Sequence, residues 1–284
     1  MKPDGPVLSA LIERFFTQRL MQQKRVSPHT IASYRDTFRL LFKFAQERLD
    51  TAPSELGLRQ LDVALITAFL NDLETRRSVS ARTRNLRLTA IRSFFRFVSF
   101  EEQAFSAHVQ RVLAIPEKRH QRRLVHFLNR AEVEALLAAP DQTTWVGRRD
   151  HALLLLAVQT GLRLSELTSF NRDSVALGRG AYVQCLGKGR KERCTLLTRQ
   201  TVGTLRAWLN EPSPNGAQAL FPTIHGGRLS ADAVQNPVDK HAVTACLSCP
   251  SRKQKRISPH VLRHTTAMEL LSAGVDSSVI ALWL

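Results

Sequence analysis

HALLLLAVQTGLRLSEL, running from His151 to Leu167, is the stretch on which the fold turns. Leu153 to Val158 is apolar on every side of a helical wheel, which predicts a helix buried all round at the centre of a domain. Gly161 is well placed to end it, because glycine accepts the left-handed backbone of a helix C-terminus at no steric cost. Arg163 follows at once between two apolar residues, Leu162 and Leu164, so its guanidinium is expected to be held rather than to trail in solvent. Glu166, three residues on, is positioned to orient it. A purely structural ion pair at a helix junction is the plain alternative.

Outward from this helix, the second part of the chain reads as mixed. Asn129-Arg130-Ala131-Glu132 has the spacing of a capping box, with Asn in place of Ser or Thr, and opens a helix through Val133, Leu136 and Leu137. Strand signals occur at Ala181–Leu186 and Cys194–Leu197, and the glycine-rich Gly187-Lys188-Gly189-Arg190-Lys191 between them predicts a hairpin. With Gly189-Arg190 as its two central residues, Cys185 faces Cys194. Helices are expected around Thr201–Leu209, Ala231–Ala245 and Ser258–Ser272, the last ended by Gly274, and Asp276 caps one more that contains Trp283. In Ser258-Pro259-His260-Val261-Leu262-Arg263 the three-residue spacing brings an imidazole and a guanidinium to one helix face. Ser27-Pro28-His29 also starts a helix, but Ala32 stands three residues after His29, so that copy is a helix start and nothing more.

The first part of the chain is all helix. Behind Ser27-Pro28, Ile31, Tyr34, Phe38, Leu41 and Ala45 recur at three- and four-residue steps. Asp62 opens another helix, and a further one is expected near Val7–Gln22. Leu88, Ile91, Phe95 and Val98 form a stripe flanked by Arg92 and Arg96 on one side and Arg87 on the other, guanidinium groups expected to be free for phosphates. The expected fold is mainly α with a small β-hairpin. It comprises a four- or five-helix domain over 1–115, a basic linker over 116–128 and a mixed domain over 129–284.

Charge narrows the function. The 284 residues carry 41 Lys and Arg against 24 Asp and Glu, a net +17. Both sides of Ile115 share it, so the charge is no appended tail. It gathers in Arg76, Arg77, Arg82, Arg84, Arg87, Arg92 and Arg96, in Lys118, Arg119, Arg122 and Arg123, and in Arg252, Lys253, Lys255 and Arg256. Three such clusters over two domains predict a track for DNA or RNA. No apolar run approaches the ~20 residues that span a bilayer, and four cysteines in this length make no disulfide framework, so the reading is an intracellular protein with no membrane partner. His241, Cys246 and Cys249 supply one half of a zinc motif without the other, and no metal or other cofactor is expected.

Thr160–Leu167, Gly187–Arg193 and Ser258–Ala267, in this order and spacing, resemble the signature segments of the tyrosine recombinases, the phage integrase family, with the nearest likeness to Xer-type and transposon-borne bacterial members. The helical Arg-rich first domain is similar to that family's core-binding domain, including its entry Ser27-Pro28-His29-Thr30-Ile31-Ala32-Ser33-Tyr34. The resemblance covers nearly the whole chain. It implies a two-domain clamp on DNA, partner protomers in a synaptic complex, and site-specific recombination through a phosphotyrosyl bond. By the same likeness Arg163 and Arg263 are the catalytic arginines, Lys188 the hairpin lysine and His260 the histidine. Arginine stays charged at any working pH and forks onto phosphate oxygens, while lysine and histidine supply and relay protons.

In the family, a Gly-His pair and then the nucleophilic tyrosine follow a segment like Val279–Leu284. The sequence stops before them, and Tyr34 and Tyr182 do not match the nucleophile's place. The expectation is a shortened form that binds DNA without cleaving it. A non-catalytic DNA-binding protein and a type IB topoisomerase are the competing readings; a set such as Arg163, Lys188, His260 and Arg263 argues against the first, the separate helical domain against the second.

Overall fold

The structure, a computed structural model, describes residues 8–120, 126–186, 192–249 and 257–284. It is mainly helical, with one three-stranded antiparallel sheet among the described residues. No helix there is long and apolar enough to cross a membrane. The chain divides into two compact units, Met1–Arg122 and Arg123–Leu284.

Among the described residues five α-helices build the first unit: α1 (Leu8–Arg14), α2 (Pro28–Leu49), α3 (Val63–Thr75), α4 (Ala81–Glu101) and α5 (Ser106–Leu113). Ser27, Asp62 and Ser80 cap α2, α3 and α4, each accepting a backbone N–H three residues on. Such caps contribute about 1 kcal/mol each. The helix expected near Val7–Gln22 is α-helical only to Arg14 and continues as a π-helix over Phe15–Gln23. The i→i+5 bond of that form matches the five-residue step from one buried side chain, Phe15, to the other, Leu20. Phe15 sits at the centre of an aromatic core with Phe16, Tyr34, Phe38, Phe94 and Phe97.

The second unit is built on α7 (Trp145–Thr160), whose residues Ala152 to Val158 are all buried. It packs against α6 (Arg130–Ala138), α9 (Arg199–Leu209) and α11 (Pro259–Ser272). The capping box at α6 is reciprocal: Asn129 Oδ1 accepts the Glu132 N–H and Glu132 Oε2 accepts the Asn129 N–H, both at 2.9 Å. Gly161 ends α7 at φ +62°, and α8 (Leu164–Ser169) begins three residues later.

The sheet orders β1 (Val175–Ala176), β2 (Tyr182–Leu186) and β3 (Glu192–Leu196), all antiparallel. Here the structure corrects the sequence reading. Cys185 pairs with Arg193, and Cys194 with Gln184, one residue away from the expected register. Because side chains alternate along a strand, the slip puts the two thiols on opposite faces, Cys185 buried and Cys194 exposed. β1 was not foreseen, since two residues carry no periodicity.

α10 (Ala231–Ser248) is tied to α7 through a buried network. Arg149 donates twice to Asp150 Oδ1 and once to the Pro222 carbonyl, and His241 Nε2 lies 3.0 Å from Asp150 Oδ2. Burial alone would raise the Asp150 carboxyl, but the His241 hydrogen bond and the Arg149 charge outweigh it and hold it below the usual range. His241 is thus committed to a hydrogen bond with Asp150 rather than to Cys246 and Cys249, and among the described residues no three His, Cys, Asp or Glu side chains gather as a metal site. α12 (Ser277–Trp283), capped by Asp276, closes the described chain.

Candidate active site

The arginine cluster starts from a carboxylate. Glu166 sits on the first turn of α8, 3% exposed. Its Oε2 accepts the Arg163 backbone N–H at 2.7 Å, and its Oε1 accepts Arg163 Nη1 at 3.0 Å. One local carboxylate thus fixes, through two bonds, both the start of α8 and the direction of the Arg163 side chain. The remaining nitrogens of Arg163 have no partner among the described residues, and the side chain is 40% exposed.

Arg193 approaches the same carboxylate from β3, its Nη2 at 2.8 Å from Glu166 Oε2. Its Nε lies 3.1 Å from Cys185 Sγ, and Nη1 donates to the Trp283 carbonyl at 3.1 Å. Arg263 comes from α11. Its Nη1 donates to the Gly161 carbonyl at 2.6 Å, and its Nη2 to the Leu284 carbonyl. Burial first, then the like charges of Arg163 and Arg193, bring Arg263 down to about 10 against a smaller opposite pull from Glu166. It stays protonated at neutral pH. Two guanidinium groups therefore bond one carboxylate, with Arg263 near enough to feel the charges of all three; the four groups carry a formal surplus of two positive charges that a phosphate-like anion would balance.

His260, exposed on the first turn of α11, stands three residues before Arg263. Its Nε2 is 3.2 Å from Nε2 of His264, and the rings are 4.4 Å apart. One nitrogen must donate and the other accept, so at least one ring is neutral. Burial, then the His260 and Arg263 charges, lower the His264 imidazole below its ordinary value. Lys188 lies outside the described residues.

The basic residues of the first unit separate into two groups. Arg84 is 4% exposed and bonds Asn85 and the Pro116 carbonyl. Arg87 binds Asp36, Thr37 and the Ser33 carbonyl, and Arg92 binds Glu117 and the Ile115 carbonyl. All three are held within the unit, and of these Arg87 and Arg92 were expected to be free. Arg76 pairs with Asp72 and Glu47, and Lys118 with Glu74. Arg77, Arg82, Arg96 and Arg119 are exposed, with no ion pair among the described residues. Arg122, Arg123 and the Arg252–Arg256 cluster lie outside them.

Sequence reasoning missed Arg193 and His264. Arg193 was read only as the end of the segment Gly187–Arg193, and the one-residue register shift is what places it opposite Cys185. His264 had a readable signal, since four-residue spacing stacks it on His260 along one helix face.

Residues 126–284 match the phage integrase family, and residues 12–102 match the phage integrase N-terminal SAM-like domain. The chain is 58% identical over 277 residues to a Sinorhizobium fredii protein called integrase/recombinase y4rC, covering 98% of this chain and 83% of that one. It is 33% identical over 269 residues to the tyrosine recombinase XerC of Pelobacter propionicus, covering 94% and 84%. The fold is shared with a lambda integrase tetramer bound to a Holliday junction (TM-score 0.68, 16% identity, 99% of this chain and 75% of that one). It is also shared with the XerH site-specific recombinase bound to palindromic difH substrate (TM-score 0.67, 21% identity, 88% and 71%). With both of its units matched in order and a relative of such identity along almost its whole length, this chain belongs to the phage integrase family of tyrosine recombinases, enzymes of site-specific DNA recombination.

Proposed function

We propose that Arg163 and Arg263 hold the non-bridging oxygens of one DNA phosphodiester while a tyrosine oxygen attacks its phosphorus. The observation that carries this reading is the convergence of both arginines beside Glu166 with positive charge in excess. As the phosphorus becomes five-coordinate, negative charge grows on oxygens already facing permanent cations, which lowers the barrier without reorganisation. The tyrosine proton passes to His260, kept in one orientation by His264; the bond from phosphorus to the 5′ oxygen breaks, and Lys188 protonates that oxygen. The phosphotyrosyl bond conserves the energy of the bond broken, so the reverse steps rejoin a strand. The scheme calls for no metal and no cofactor.

Double-stranded DNA and further recombinase protomers are the assigned partners, in the bacterial cytoplasm on nucleoid DNA. We assign 1–115 as the core-binding domain, 116–128 as a basic linker and 129–284 as the catalytic domain, the two domains clamping one duplex. Arg77, Arg82, Arg96 and Arg119 are the phosphate contacts best supported by exposure; Arg122 and Arg123 are assigned with them from sequence alone.

Tyr34 stacks on Phe15 in the first unit, and Tyr182 pairs with Leu196 at the end of β2 away from residues 187–191, so neither is assigned as the nucleophile. Residues 1–284 are then expected to bind duplex but form no covalent adduct, because the arginines stabilise a transition state only when something attacks. A nicked suicide substrate, incubated with this chain and run on a denaturing gel, tests it. A shifted covalent band would overturn the assignment of both tyrosines.

A further inference from the structure

Arg193 spends its fork inside the protein. Its three hydrogen-bonding nitrogens go to Cys185 Sγ, the Trp283 carbonyl and Glu166 Oε2, and its side chain is only 18% exposed. Arg163, by contrast, gives Glu166 a single side-chain bond and keeps two nitrogens uncommitted among the described residues. The two arginines meet opposite oxygens of one carboxylate, and planar guanidinium prefers to fork onto both. We propose that Arg193 is a positioning residue: by holding Glu166 Oε2, which also takes the Arg163 backbone N–H, it leaves the Arg163 guanidinium only Oε1, and so keeps the Arg163 fork turned toward phosphate.

This deepens the site reading above and rests on it. Without Arg193, Arg163 swings onto both oxygens of Glu166 and withdraws from the anion. The charge balance points the same way. Three arginines against Glu166 leave two positive charges for an incoming phosphate, and loss of Arg193 leaves one. Removing Glu166 as well restores the two. The Cys185 thiol, raised by burial and lowered by its Arg193 contact, stays neutral near pH 7 and does not alter this count.

The consequence is an interaction whose sign a merely structural role does not reproduce. Binding of inorganic phosphate to the whole chain is measured by calorimetry, duplex DNA binding by anisotropy, and folding by thermal melt, for the wild type, Arg193→Gln, Glu166→Gln and the double variant. Arg193→Gln is expected to weaken phosphate binding about tenfold, while DNA affinity, spread over many contacts, changes less than about threefold. Adding Glu166→Gln is expected to bring phosphate binding back to within about threefold of the wild type, although each substitution lowers the melting temperature. Arg193→Lys, with the charge but not the fork, should fall between. If the double variant binds phosphate more weakly than Arg193→Gln, or if Arg193→Gln binds as the wild type does, the positioning role is refuted and the site reading stands. A wild-type chain that binds neither phosphate nor duplex removes the site reading and this inference with it.

Discussion

Gly161→Ala is the substitution whose cost can be worked out most closely. Gly161 has φ +62°, where a Cβ costs about 1–2 kcal/mol in backbone strain, partly offset by the reduced freedom of the unfolded chain. The added methyl would also sit 2.3 Å from Leu284 Cδ2 and 3.2 Å from Thr266 Cβ. Leucine can rotate away; Thr266 cannot. It is 3% exposed, and its hydroxyl bonds the Val158 and Leu262 carbonyls, tying α11 to α7. Overpacking of this kind adds about 1–2 kcal/mol, for a total near 2–3 kcal/mol. For a unit of this size that is a fall in melting temperature of about 5–10 °C. Gly180→Ala supplies the control: its φ is +74°, yet nothing lies within 4 Å of the added Cβ, so only the strain, about 1 kcal/mol, should appear. Urea unfolding followed by circular dichroism compares the two. Because the Gly161 carbonyl also seats Arg263, the same variant should bind phosphate more weakly than Gly180→Ala does. Equal stability of the two variants within ~0.5 kcal/mol would refute the packing argument.

Two further outcomes are expected. Asp150→Ala should destabilise the second unit by about 3–5 kcal/mol, because it strands Arg149 and His241 in a buried site. With its folded carboxyl held below 3.8, Asp150 supports stability above that pH and loses the contribution as pH falls through the folded value; acid unfolding of wild type and variant should therefore converge at low pH. In the first unit, replacing Arg77, Arg82 and Arg96 together by Gln should reduce the slope of log affinity against log salt by about 2.7 with little effect on melting, whereas Arg87→Gln should lower the melting temperature instead. A triple variant with an unchanged salt slope would remove these residues from the DNA track.

What the sequence determined by itself was set by short-range physics. Ser27, Asp62, Asn129 and Ser258 were readable as helix starts because a cap needs only its own side chain and the N–H groups of the next turn. The buried α7 and its glycine end were legible because an all-apolar run has one stable place, the interior. Arg163 with Glu166 was within reach for the same reason, since three residues on one turn bring them together. The tertiary structure decided whatever depends on distant partners. Which arginines of α4 are free could not be read from a helical wheel, because Asp36, Ile115 and Pro116 approach from elsewhere in the chain. His241 found Asp150 ninety-one positions away rather than its neighbouring cysteines. Arg193 depended on the pairing of Leu186 with Glu192, one residue from the register that turn chemistry suggested. A strand reverses every side chain with a one-residue shift, so the third guanidinium of the cluster was decided by a strand register that the turn residues alone did not specify.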